Sequence, residues 1–219
     1  MTLPNTYADG NCPLARTLEV VGERWTLLIL RDAFYGVRRF GDFATQLGVP
    51  RAVLTSRLKS LTQEGVLTRE DDGSGRVEYR LTDKGLALWP AVHALMNWGE
   101  AFYSPHGAKR VLRHDPDGGL LDPNGRCQEC GSAVPVPEIR IEPGPGFRAP
   151  DHEGDPVSSA INTPRRLLDP IVTAPAPTRQ DGTGTGTGTD GRTKPRPSGD
   201  RTVARDATTG CRGSRSNRA

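Results

Sequence analysis

Between Val49 and Gly65 the chain reads VPRAVLTSRLKSLTQEG, and Leu54, Leu58 and Leu61 recur there at i, i+4 and i+7. That spacing sets the three leucines on one stripe of a helix and predicts a buried face. Pro50 suits a first helical turn and Gly65 an exit. The opposite side carries Ala52, Thr55, Ser56, Lys59 and Gln63, flanked by Arg51 and Arg57. Small or hydrogen-bonding side chains between cations let a helix come close to a nucleic-acid groove, with hydroxyls and amides for base edges and Arg or Lys for phosphates. An ordinary amphipathic helix with a solvated face has the same pattern, so the flanking sequence has to decide.

Upstream, Leu14, Leu18 and Val21 mark a helical stripe that opens after Cys12-Pro13 and ends at Gly22. From Trp25 to Phe34 the chain is apolar almost all round, which predicts a central core helix. Arg38-Arg39 precede Phe40, Phe43 and Leu47, a short third helix with its aromatic side inward. Short helices leading into an amphipathic one follow the helix-turn-helix order, in which one helix crosses the DNA backbone and the next enters the major groove. Downstream the period changes to two. Val66 to Glu70 and Arg76 to Thr82 each read as a strand, with Asp71-Asp72-Gly73-Ser74-Gly75 as the turn of a two-stranded wing. Thr82 suits the cap of a last helix reaching about Tyr103, with Leu88, Val92, Leu95 and Phe102 along one seam, Trp98 nearby and a kink at Pro90.

The remainder has a different texture. Residues 1–11 are polar and read as a flexible arm. Residues 105–147 hold short apolar pieces broken by DPDGG, DPNG and PGPG, which favours a small hairpin extension carrying the CQECG of Cys127 to Gly131. From Arg148 no periodicity is visible, and the run includes TAPAPT and GTGTGTGT, so residues 148–219 are expected to be disordered. The fold class expected is mainly α with a small β-wing: a winged helix-turn-helix domain over 12–104, a short β-rich extension and a disordered tail.

Charge adds little on its own. Residues 1–104 carry 12 basic and 12 acidic side chains, and residues 105–219 carry 17 and 14, so the net charge of +3 comes from the second half. Any basic surface has to come from clustering, for which Arg38, Arg39, Arg51, Arg57 and Lys59 are the candidates. No apolar run approaches a membrane span and no charged-then-apolar leader is visible, so a cytoplasmic, nucleoid-associated protein is expected. Four cysteines, Cys12, Cys127, Cys130 and Cys211, are too few and scattered for a disulfide framework.

The pieces CPLARTLEVVGERWTLLIL, RRFGDF, VLTSRLKSLTQEGVLTR and VEYRLTDKG, with the late Trp98, resemble the HxlR family of winged-helix transcriptional regulators, relatives of the MarR group, over about residues 11–103. That resemblance implies a homodimer on double-stranded, pseudo-palindromic operator DNA. The helix matching Pro50 to Glu64 would read the major groove, and the hairpin matching Leu67 to Leu81 would touch the minor groove or backbone. Pro50 stands where the family often has a capping serine, and the wing tip is rich in Asp and Gly where relatives carry prolines. Arg76 is the tip residue expected to reach DNA. The DNA-binding set is therefore Arg38, Arg39, Arg51, Ala52, Thr55, Ser56, Arg57, Lys59 and Arg76. The dimer set is Leu14, Leu18, Leu88, Val92, Leu95, Trp98 and Phe102, because that seam exceeds what a domain of this size needs for its own core.

Two cysteine features stand apart. Cys12 precedes a helix whose free amides favour a thiolate, and some members of the resembled family sense oxidants at this motif, which makes it a candidate redox sensor. Cys127 and Cys130 supply two thiolates from one tight turn. A structural zinc needs four ligands, so His106, His114, Cys12 or a second subunit would have to complete the site. No constellation for catalysis is present, and His93 reads as a packed helix residue. A small-molecule or redox effector is compatible with the resemblance. The competing reading is a metal-binding or interaction module on a winged-helix scaffold without operator binding.

Overall fold

A computed structural model describes residues 12–148 and 155–171. The helix-turn-helix is built as its apolar spacing requires. Helices α1 (Pro13–Val21), α2 (Arg24–Phe34), α3 (Phe40–Leu47) and α4 (Arg51–Gln63) follow in order. In α2, Ile29, Leu30, Ala33 and Phe34 are buried, and α3 and α4 both pack against it. Gly48 ends α3 in the left-handed region at φ +58, a conformation that suits glycine, and its N–H reaches Ala44. Leu54, Leu58 and Leu61 are almost completely buried, which fixes the rotation of α4 and turns its other side outward.

The wing is an antiparallel pair, β1 (Leu67–Asp71) and β2 (Val77–Leu81), with Leu67 opposite Leu81 and Asp71 opposite Val77. Thr82 caps the next turn by accepting from the Gly85 N–H, but the final helix is divided. Instead of one kinked helix there is a short α5 (Asp83–Leu86) and a separate α6 (Trp89–Tyr103). Pro90 lies in the first turn of α6, where its missing N–H costs no intrahelical bond, so the chain breaks before the proline rather than bending at it. Trp89 sits 5.0 Å from Phe34 and stacks 5.5 Å from His93, anchoring α6 to α2 and making His93 a buried packing residue.

The extension is more than a hairpin. Strands β3 (Arg110–His114) and β4 (Ile139–Pro143) pair antiparallel, and β5 (Arg165–Arg166) adds to β4 after helix α7 (Pro156–Ile161). This corrects the expectation that everything after residue 148 is disordered. Val157, Ile161, Leu167 and Ile171 are buried, and Asp155 caps α7 by accepting from the Val157 and Ser158 N–H groups. The segment is stitched to the helix-turn-helix by backbone. The Leu168 N–H donates to Phe34 O (2.8 Å) and the Ile171 N–H to Gly36 O (3.0 Å). A Cβ at Gly36 would collide with the Asp169 carbonyl, so glycine is required there both for this approach and for its φ of +91. Each apolar piece is too short to show a period, and only the non-local pairing reveals its place. The N-terminal arm and residues 172–219, with Cys211 and the Gly-Thr run, lie outside the described residues.

Candidate functional site

The outer side of α4 exposes Arg51, Ala52, Thr55, Ser56, Lys59 and Gln63, and no acidic residue occurs between Arg51 and Gln63. Arg51 leans over the Phe40 ring at 5.2 Å, a cation–π contact that ties the start of α4 to α3. The Thr55 hydroxyl donates to the Arg51 carbonyl at 2.9 Å, leaving its methyl and oxygen lone pairs outward. Arg57 is half-buried, with its Nε enclosed and unpartnered. The side chains of Ser56 and Lys59 have no hydrogen bond or ion pair among the described residues, and both are exposed and available to a ligand.

Arg38 and Arg39, grouped with these in the sequence, are placed differently. Arg38 donates to the Leu168 carbonyl (2.9 Å) and faces Glu78 at 3.7 Å, while Arg39 pairs with Asp72 at 3.2 Å and lies 3.9 Å from Glu78. Glu78 is buried and also holds Arg80 at 3.0 Å. The two arginines therefore brace the wing against α3 and the returning chain, and their charge is already engaged within the subunit. Partly buried pairs of this kind set geometry more than they add stability.

At the wing tip the aspartates form the turn. Asp71 accepts from the Gly73 and Gly75 N–H groups, and Asp72 from the Ser74 N–H, its hydroxyl and the Arg76 N–H. The Ser74 bonds, led by its hydroxyl, hold the Asp72 carboxyl down to about 2, so the tip keeps its negative charge at neutral pH. Arg76 is exposed beside it. Its basic head offsets an acidic tip that would otherwise repel phosphate.

Of the seven apolar residues expected at a subunit interface, five are exposed: Leu14 (66%), Leu18, Leu95, Trp98 (55%) and Phe102 (70%). Val92 and Leu88 are not. Val92 is only 5% exposed in the core under α6, and Leu88, half-buried, is the residue that caps α6. Tyr103, exposed and 5.5 Å from Trp98, belongs with the uncovered face and was missed, since it lies one residue past the seam.

A second constellation lies where the end of β3 meets the loop joining it to β4. Ligand-type atoms of His114, Asp117, Cys127 and Cys130 all fall within 4.8 Å of one another. His114 Nδ1 lies 2.9 Å from Asp117 Oδ2 and 3.6 Å from Cys130 Sγ, and Cys127 Sγ is 3.3 Å from Asp117 Oδ1. His114 was among the sequence candidates to complete the CxxC; Asp117 was not, because a DPDGG run reads as a turn. Cys12 is exposed at the entrance to α1 and makes no side-chain cap, so the structure does not bring it into this cluster. His106 does not join it either.

Four N-terminal helices with α4 presented outward, followed by a braced two-stranded wing, define a winged helix-turn-helix protein. The HxlR-like helix-turn-helix model matches residues 20–107. Over 139 residues the chain is 48% identical to Rv3095, an HTH-type transcriptional regulator of Mycobacterium tuberculosis, covering 62% of this chain and 88% of the relative. The Bacillus subtilis regulator YdeP is 32% identical over 94 residues, which is 42% of this chain and 73% of that protein. Among solved structures, the protein PA1607 is 36% identical and superposes with a TM-score of 0.44 over 66% of this chain and 93% of its own. The chain belongs to the HxlR-like helix-turn-helix family and is a transcriptional regulator rather than an enzyme. The mycobacterial match is long enough to run past residue 107, so it takes in part of the extension. Among the described residues no helix is long and apolar enough to cross a membrane.

Proposed function

We propose that the protein is a homodimeric, sequence-specific DNA-binding regulator in which α4 enters the major groove and the wing lies against the flanking backbone or minor groove. The observation that carries this reading is the outer face of α4. Its leucines are consumed by the core, and what remains is a strip of small and hydroxyl side chains with Arg51 and Lys59 exposed and no acid. Thr55 and Ser56 suit base edges, Thr55 through its methyl and lone pairs, and Lys59 and Arg51 suit phosphates. Arg76 supplies the wing contact. Arg38 and Arg39 act indirectly, by holding the wing at a fixed angle to α4.

The dimer rests on the apolar side chains that α1 and α6 leave in water. Trp98 and Phe102, 5.4 Å apart, form an aromatic patch with Leu95 on a helix whose other side buries Trp89, Val92 and His93 in the core. Large aromatics of this kind are favoured in subunit interfaces and disfavoured as solvent-facing residues. Two-fold pairing would set the two α4 helices roughly 34 Å apart, one turn of DNA.

Salt titrations of DNA binding separate the roles. Lys59→Ala should weaken binding to every sequence alike and reduce the log–log salt slope by about 0.9, because one phosphate contact no longer releases its counterion. Ser56→Ala or Thr55→Ala should change the preferred sequence and leave the slope intact. An unchanged slope for Lys59→Ala together with an unchanged preference for the hydroxyl variants would remove α4 from the interface.

A further inference from the structure

The loop between β3 and β4 spans 115–138 and contains almost no regular structure, yet it is tightly specified. The Cys127 N–H donates to Ser132 O (2.9 Å) and the Gly131 N–H to Cys127 O (2.9 Å), closing a tight turn in which Gly131 takes φ +71. The Glu129 N–H points at Cys127 Sγ (3.4 Å), and the Ser132 hydroxyl lies 3.0 Å from Cys130 Sγ. The Gly119 N–H donates to Asp117 Oδ1 at 2.9 Å, and a Cβ on Gly119 would collide with Cys127 Sγ. Cys127 and His114 are buried although the loop has few apolar residues of its own. Something other than hydrophobic burial gathers two thiols, an imidazole and a carboxylate here.

We infer that His114, Asp117, Cys127 and Cys130 form a tetrahedral site for one Zn2+ ion that staples this loop onto the β3–β4 sheet. Four ligands complete what a lone CxxC leaves half-made. Metal–sulfur bonds of about 2.3 Å and metal–nitrogen or metal–oxygen bonds of about 2.0–2.2 Å imply separations between tetrahedral ligands of roughly 3.3–3.8 Å. The observed Cys130–His114 separation of 3.6 Å and Cys127–Asp117 separation of 3.3 Å fall in that range. The His114–Asp117 pair at 2.9 Å is closer and would open on binding.

The surroundings of the four residues match what a metal needs. Nδ1 of His114 faces Asp117 and Cys130, so it is the ligating atom, and Nε2 lies 3.2 Å from the Glu138 carboxylate. A carboxylate on the far nitrogen fixes the tautomer and ring plane of a metal-bound histidine. An N–H directed at a cysteine sulfur stabilises thiolate over thiol. Mixed thiolate, imidazole and carboxylate donors in a closed four-coordinate set favour zinc over the all-oxygen sites of calcium and magnesium. Binding would release two thiol protons to solvent and leave the site with a formal charge of −1, with no open position for catalysis. The site is therefore structural, and it fixes Gly125 of the loop near His93 of α6, the helix proposed for the subunit interface. The inference does not depend on DNA binding.

The test uses the full chain stripped with a chelator and titrated with Co2+ under reducing conditions. One equivalent should give the intense visible absorption of tetrahedral cobalt with a thiolate charge-transfer band, and Zn2+ should displace it mole for mole. Cys130→Ser, at an exposed position that keeps the fold by circular dichroism, should abolish stoichiometric binding. Cys12→Ser should bind as the parent does, and Glu138→Gln should weaken affinity about 10-fold. A weak octahedral cobalt spectrum, or Cys130→Ser binding with the parent's affinity, would overturn the site. So would a parent chain that binds no metal with both thiols free.

Discussion

Cutting the chain after Arg148 is expected to lower the melting temperature by more than 10 °C, roughly, whereas cutting after Ile171 leaves it within about 2 °C. The difference lies in 17 described residues, 155–171. Val157 and Ile161 lie one turn apart on α7, which packs on α3, with the Ser158 hydroxyl donating to Gln46 at 2.8 Å. Leu167 is buried beside Ile139, its N–H bonded to the Ile139 carbonyl, and the chain then donates to Phe34 and Gly36. Removing the segment uncovers the end of α2 and the outer edge of β4, both built to be covered. A single Leu167→Ala change leaves the chain complete but opens a cavity costing about 2–5 kcal/mol. It should by itself shift the melting temperature by roughly 4–20 °C. Differential scanning calorimetry of the two truncations and the point variant checks this. Equal melting temperatures for both truncations would mean that the return of the chain to α2 contributes nothing to stability.

Replacing Leu95 with Glu is expected to convert a dimer into a monomer and to weaken operator binding by at least about 100-fold, because two half-sites would no longer be bound as one. Leu95 is more than half exposed in the isolated subunit, so the new carboxylate meets water there and the fold survives. In a pairing of α6 faces the same carboxylate would be buried without a partner beside Trp98 and Phe102, which is strongly unfavourable. Sedimentation velocity at micromolar concentration reads the mass directly. A parent protein that sediments as a monomer, or a Leu95→Glu variant that stays dimeric with an unchanged thermal midpoint, would contradict the interface.

What could be read from the sequence was whatever repeats at short range. The leucines of α4, the apolar run of α2 and the alternation of Val77, Tyr79 and Leu81 each announce an element within one window, and the winged helix-turn-helix follows from their order. What could not be read depends on partners far along the chain. Arg38 and Arg39 look like free cations until Glu78, Asp72 and the Leu168 carbonyl are seen to occupy them. Val92 looks like part of an exposed seam until the break before Pro90 turns it into the core. Asp117 becomes a ligand candidate only when Leu120 and Leu121 pair with Gln128 and Cys127 and bring the DPDGG turn against the CxxC. Residues 155–171 have too few apolar side chains in a row to show a period, and they are ordered by pairing with α2 and β4.

In the proposed function, the exposed face of α4 reads DNA sequence as one half of a two-fold pair. Selection of bound duplexes from a random-sequence pool by the full chain tests this reading. Enrichment of an inverted repeat whose half-sites lie about 10 base pairs apart, centre to centre, is expected. Ser56→Ala or Thr55→Ala should change bases inside each half-site while the spacing is kept. A pool with no enriched motif, or a motif that survives both changes unaltered, would contradict it.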